Sequence, residues 1–139
     1  MAPEETDPSG AFDDLVVEPL PEAPGLQVRG RGPMTPAWAR ASMAAVLASP
    51  RFEAGVNVLL DLSAMDFTGV VARDMGIISR QERSILDGDA LPGRVAVLVE
   101  EDLPYGLSRM FEALSERADG PIYRVVRSRA DALAWFAQG

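Results

Sequence analysis

Along this chain, short apolar runs alternate with longer stretches whose apolar residues recur every three or four positions. The clearest run is Val56, Val58, Leu59 and Leu60, which ends abruptly at Asp61. Near-continuous apolar residues with β-branching mark a strand covered on both faces, so Asp61 is expected at the carboxyl edge of a sheet. Arg94 to Val99 and Ile122 to Val126 read the same way. Leu15 to Glu18 and Leu26 to Gly30 are strand candidates joined by a Pro- and Gly-rich connection, which suits a hairpin at the sheet's edge.

The helical stretches carry their own boundary signals. Thr35 before Pro36 reads as an N-cap and first-turn proline, followed by Trp38, Ala39, Ser42, Met43, Val46 and Leu47 at helical spacing until Ser49-Pro50. A second helix opens near Val70 or Val71, with Val71, Met75, Ile78, Glu82 and Ile85 on one face, and ends near Gly88. A third is expected from an Asp102 cap, with Pro104 in its first turn and Leu103, Leu107, Met110, Phe111 and Leu114 on its core face. Ser128 and Asp131 resemble a capping box for a short fourth helix. The order β-β-α-β-α-β-α-β-α predicts an α/β fold: a five-stranded, mostly parallel mixed sheet with four helices. Were all four helices on one face, part of the other would be left for the hairpin, the tail or a second copy of the chain.

Composition narrows the chemistry. A length of 139 residues suits one domain, taken as residues 15–139, with residues 1–14 as a disordered acidic tail. The chain has no Cys and no His, which excludes thiol nucleophiles, disulfides, Ser-His-Asp triads and Cys/His zinc sites. The net charge of -8 is concentrated at the front: Met1 to Pro24 holds Glu4, Glu5, Asp7, Asp13, Asp14, Glu18 and Glu22 and no base. The rest is nearly neutral and every base is Arg, so no basic, aromatic-studded surface for nucleic acid is expected. No Gly-rich phosphate loop occurs, because Gly30-Arg31-Gly32 runs into Pro33. No apolar run approaches the ~18 residues of a membrane span, and the acidic start is unlike a signal peptide, so a cytoplasmic protein with no membrane insertion is expected.

The element order and the text DLSAMDFTG, with Asp61, Leu62, Ser63, Phe67, Thr68 and Gly69 in matching places, resemble the STAS domain of anti-sigma-factor antagonists. The resemblance implies a non-enzymatic module that docks a kinase-like or regulatory protein through the Asp61–Gly69 loop and the neighbouring helix starts. It also implies a phosphorylation switch, with Thr68 as the hydroxyl. The STAS pattern has a longer Asp-Ser-Ser-Gly run after the apolar residue, whereas Phe67 here passes directly to Thr68-Gly69. Pro50-Arg51-Phe52, VLLDLS, DLPYGLSRMFEAL and Ala132-Leu133-Ala134-Trp135 are similar to the SpoIIAA-like offshoot of that fold, related in shape to lipid-binding SEC14 domains. That kinship implies the alternative of a carrier for a small apolar or lipid-like ligand.

Each candidate site residue has two readings. Asp61 is either a functional acid or an acceptor for turn amides, with Ser63 beside it. Asp66 is either a second carboxylate for acid/base work or Mg2+, or an N-cap competing with Thr68. Asp102, Tyr105 and Arg109 either line a cleft at the same sheet edge or form a capped, partly exposed helix start. No catalytic residue, metal or cofactor is assigned, and a homodimer is left open.

Overall fold

The computed structural model describes residue 12, residues 14–88 and residues 90–138. The acidic tail assigned to residues 1–14 lies largely outside them. The strands are β1 (Val16–Pro19), β2 (Leu26–Arg29), β3 (Gly32–Pro33), β4 (Val58–Asp61), β5 (Met65–Asp66), β6 (Arg94–Leu98) and β7 (Ile122–Val126). The helices are α1 (Pro36–Ala48), α2 (Ala72–Ile85), α3 (Asp102–Leu114) and α4 (Arg129–Phe136). One five-stranded sheet runs β1-β2-β4-β6-β7, antiparallel between β1 and β2 and parallel elsewhere. Strands β3 and β5 form a separate parallel pair that the sequence pattern did not signal.

The double-sided burial expected for β4 is met, with Val58 and Leu59 3% and 0% exposed. Strand alternation sends their side chains to opposite faces. Val28, Val58, Val95, Val97 and Val125 meet α1, α2 and α3 through Trp38, Ala39, Val46, Met75, Ile78 and Leu107. Leu59, Ala96, Leu98 and Val126 meet Ala132 and Trp135 of α4. The helices therefore divide between the two faces. The short α4 is held there by Arg94 and Arg124, whose guanidinium groups lie 5.4 and 5.3 Å from the Trp135 ring centre.

Two helix starts follow the sequence closely. Thr35 accepts from the Trp38 N–H at 3.0 Å ahead of Pro36, and Ser128 accepts from the Asp131 N–H at 3.1 Å. Trp38 is 1% exposed and lies so close to the chain at Gly30 that a Cβ there would sit 2.4 Å from the indole ring. That approach explains why a glycine closes β2.

Between α2, α3 and β7 the core is polar. Glu82 is fully buried, where it takes a 2.7 Å ion pair from Arg117 and a 2.6 Å hydrogen bond from the Tyr123 hydroxyl. Arg117 also donates to the Leu86 carbonyl, and the Ser79 and Ser115 hydroxyls pair at 3.0 Å. Glu82 sits where helical spacing from Met75 and Ile78 calls for an apolar residue, and its two partners offset the cost of burying its charge. Burial first, and then the charge of Glu82, push the Tyr123 phenol far above its ordinary value near 10.

Gly30→Ala should therefore lower the unfolding free energy by about 1–3 kcal/mol in chemical denaturation, as overpacking against a buried ring does. A second expectation concerns alkaline pH. The folded state holds the Tyr123 proton more tightly than the unfolded chain, so stability present below pH 10 should fall as the pH rises beyond it. Tyr123→Phe should cost about 1–3 kcal/mol at neutral pH and flatten this alkaline decline, as measured by denaturant unfolding from pH 8 to 11.

Candidate functional site

Parallel strands followed by helices bring the ends of β4 and β6 and the starts of α2 and α3 to one edge of the sheet. There Asp61 accepts from the Ser63 N–H at 3.0 Å and from its hydroxyl at 2.6 Å, closing a turn. Strand alternation places Asp61 with Leu59 on the α4 side. A polar group that sequence reasoning did not assemble lies on that side. Arg129 at the start of α4 donates to Glu22 at 2.8 Å and to the side-chain amide oxygen of Gln27. The Gln27 amide donates to Glu18, which also pairs with Arg29 at 2.8 Å. The hydrogen bond from Arg129 holds Glu22 below the usual carboxylate range; Arg129 is raised in turn, first by Glu22, with smaller contributions from Asp61 and Glu18. The part of it legible in the sequence was the alternation of Gln27 and Arg29 with apolar residues along β2.

Asp66 and Thr68 form a second turn. The Asp66 carboxylate accepts the Thr68 N–H at 2.8 Å and the Thr68 hydroxyl at 2.5 Å, and both residues are exposed. The hydroxyl first, and then the N–H, hold the Asp66 carboxyl below its ordinary value. Neither residue caps α2, as had been expected. The N-cap is Val71, whose N–H is taken by Asp74 at 3.0 Å. The reason is local: Asp66 is spent on the turn that follows β5, and the helix begins only at Ala72. Val71, expected on the core face, is 57% exposed.

At α3 the N-cap is Glu101, and Asp102 is the first helical residue rather than the cap. Asp102 instead pairs with Arg127 at 2.9 Å. The half-buried Tyr105 ring has the Arg127 guanidinium 4.8 Å from its centre and that of Arg109 at 5.9 Å. Arg109 donates to the Tyr105 hydroxyl at 3.2 Å and pairs with Glu112 at 3.4 Å, contacts that raise its pKa in that order of importance. Arg127, on the β7–α4 connection, was not among the sequence candidates. The predicted residues thus form three separate groups: Asp61 with Ser63, Asp66 with Thr68, and Asp102 with Tyr105 and Arg109. Among the described residues no hydrogen bond or ion pair links one group to another.

Away from this edge, an apolar cavity of about 90 Å³ lies between the sheet and α1–α3, lined by Val28, Met34, Trp38, Met75 and Phe111 among others. It has room for a few water-sized groups, well below the ~300–1,000 Å³ of pockets that enclose drug-sized ligands. Among the described residues no helix is long and apolar enough to cross a membrane.

The Asp66–Thr68 turn makes a direct prediction. The Asp66 carboxyl should titrate below ordinary aspartate in an NMR pH titration, and Thr68→Val should move it back up, leaving only the backbone N–H to hold it down.

Neither a scan against protein-family models nor a search of curated proteins finds a match. Among solved structures, the chain is similar to an uncharacterised protein of the DUF3478 family from Shewanella loihica PV-4 with a SpoIIAA-like fold. The two share 16% identity over 87% of this chain and 90% of that one, with a TM-score of 0.52. At that identity the likeness concerns the fold alone. The four helices, the mixed sheet with one antiparallel pair and this likeness together give the chain a SpoIIAA-like, STAS-type fold.

Proposed function

We propose that this protein is a non-enzymatic regulatory module that docks a partner protein at the carboxyl edge of its sheet, through the Asp61–Gly69 loop and the starts of α2 and α3. The observation that carries this reading is the exposed Asp66–Thr68 turn, followed three residues later by an exposed apolar Val71. A polar turn beside a free apolar side chain on a rigid sheet edge suits recognition of a protein surface. Asp61 and Asp66 are each occupied within their own turn, which speaks against a working carboxylate pair. SpoIIAA-like folds are generally non-catalytic interaction modules, which supports the same reading.

Phosphorylation of Thr68 would act directly on this surface. The hydroxyl proton now given to Asp66 would be lost, and a phosphate of about -1.5 to -2 charges would face the Asp66 carboxylate. Repulsion would open the turn and change what a partner meets, while the sheet below would stay intact.

A second reading, a carrier for a small apolar ligand, is favoured by the cavity beneath α1–α3. Its size limits the unaltered fold to a very small guest.

Pull-down from host lysate with wild type and Thr68→Glu, read by mass spectrometry of retained proteins and small molecules, separates the two. Docking at the edge predicts a protein retained by wild type and depleted about tenfold or more by the variant. An apolar molecule carried equally by both forms, with no protein enriched, would instead establish the carrier.

A further inference from the structure

Helix α3 carries apolar side chains on its outer surface as well as its inner one. Leu103, Met110 and Leu114 are 56%, 39% and 43% exposed, although their spacing had assigned all three to the core. With the exposed Gly106 and Ala113 between them they recur at three- and four-residue steps, so they form one stripe along the helix. From Leu103 to Leu114 it runs about 16 Å, roughly three helical turns. Single exposed apolar residues are ordinary, but a continuous stripe on one helix marks a contact surface.

The neighbouring helix supplies its charge. Arg73, Arg80 and Arg83 are exposed and lie along the outer face of α2, at seven- and three-residue steps opposite the buried Met75, Ile78 and Glu82. That face borders α3 at Arg83, which donates to the Leu114 carbonyl at 2.9 Å, with the Ser79–Ser115 hydroxyl pair beneath it. Among the described residues none of the three arginines has a carboxylate within ion-pair distance; Arg31, Arg40, Arg51 and Arg124 have none either, but these three stand together on one helix. The far flank of α3 is mixed, with Arg109 paired to Glu112.

We propose that the outer α2–α3 surface docks an acidic amphipathic helix of another protein, its apolar face on the Leu103–Met110–Leu114 stripe and its carboxylates over Arg73, Arg80 and Arg83. The mode is helix-in-groove recognition, with charge setting register and partner choice. The same charges disfavour a second copy of this chain. A two-fold axis pairing α3 antiparallel with itself brings each α2 flank against its counterpart, arginines facing arginines. A parallel pairing aligns the two helix dipoles unfavourably. This surface lies beside the Asp61–Gly69 loop and goes beyond the docking proposed there, since it does not depend on Thr68.

The test is selection of a phage-displayed library of helical peptides, about 18 residues long and randomised in charge, on the purified full chain, followed by affinity measurement of the enriched sequences. The expected binders are net acidic, with apolar residues at i, i+3 or i+4 and i+7. Binding should weaken about tenfold or more with Leu103→Ser/Met110→Ser, and more at high salt than at low. Arg80→Glu/Arg83→Glu, confirmed as folded by circular dichroism, should reverse the selection toward basic peptides. Thr68→Glu should leave it unchanged, so failure of the loop reading and failure of this one are distinguishable. Enrichment of neutral or basic sequences on wild type, or none at all, would overturn the proposal. So would sedimentation showing that the stripe instead closes a homodimer, or binding to anionic vesicles with no peptide selected.

Discussion

Everything in this fold follows from the need to bury β4 and β6 on both faces. Leu59 and Ala96 are wholly inaccessible on one side and Val58, Val95 and Val97 nearly so on the other. Burying each large aliphatic side chain is worth about 1.5–3 kcal/mol, and neither face can be left to water. Three helices supply one cover and α4 the other, and the parallel order between them forces every crossover to start from the same edge. The loops at that edge are therefore held in place by the sheet while carrying little of its core, which is the setting in which a recognition surface can be built without disturbing the core.

That core is not uniformly apolar. Glu82, held between Arg117 and Tyr123, ties α2 to the segment after α3 and to the last strand. A buried carboxylate of this kind adds little net stability compared with an apolar side chain of its size, but removing one of its partners leaves a charge with nowhere to go. The network thus ties the placement of α2 and α3 to specific partners, and with it the outer surface those helices share. The apolar cavity lies on the same side of the sheet, between it and α1–α3, and Tyr123 lines it as well as bonding Glu82.

The sheet edge is divided more finely than its sequence suggests. Asp61 and Asp66 lie five residues apart, yet one belongs to the α4 face beside Arg129 and the other to an exposed turn before α2. The side of the sheet on which a strand's last residue points is set by strand parity, and after Asp61 the chain leaves the main sheet, so that Met65 and Asp66 pair with β3 instead. Two carboxylates that look like a pair in the sequence become parts of separate surfaces.

Local signals were legible because their physics is local. Thr35-Pro36 and Ser128–Asp131 stated their helix starts, the run Val58 to Leu60 its two-sided burial, and Asp61 its strand end. Those features need only neighbours a few residues away, and so the α/β class and the succession of the main strands and helices along the chain could be read from it, whereas the order of strands across the sheet could not. What depended on distant partners could not. The N-caps of α2 and α3 moved to Val71 and Glu101, with Asp66 taken up by Thr68 and Asp102 by Arg127, and β3 met β5 across more than thirty residues. The outward turn of Leu103, Met110 and Leu114 was likewise hidden, because helical spacing shows that residues share a face and only packing decides which way that face looks.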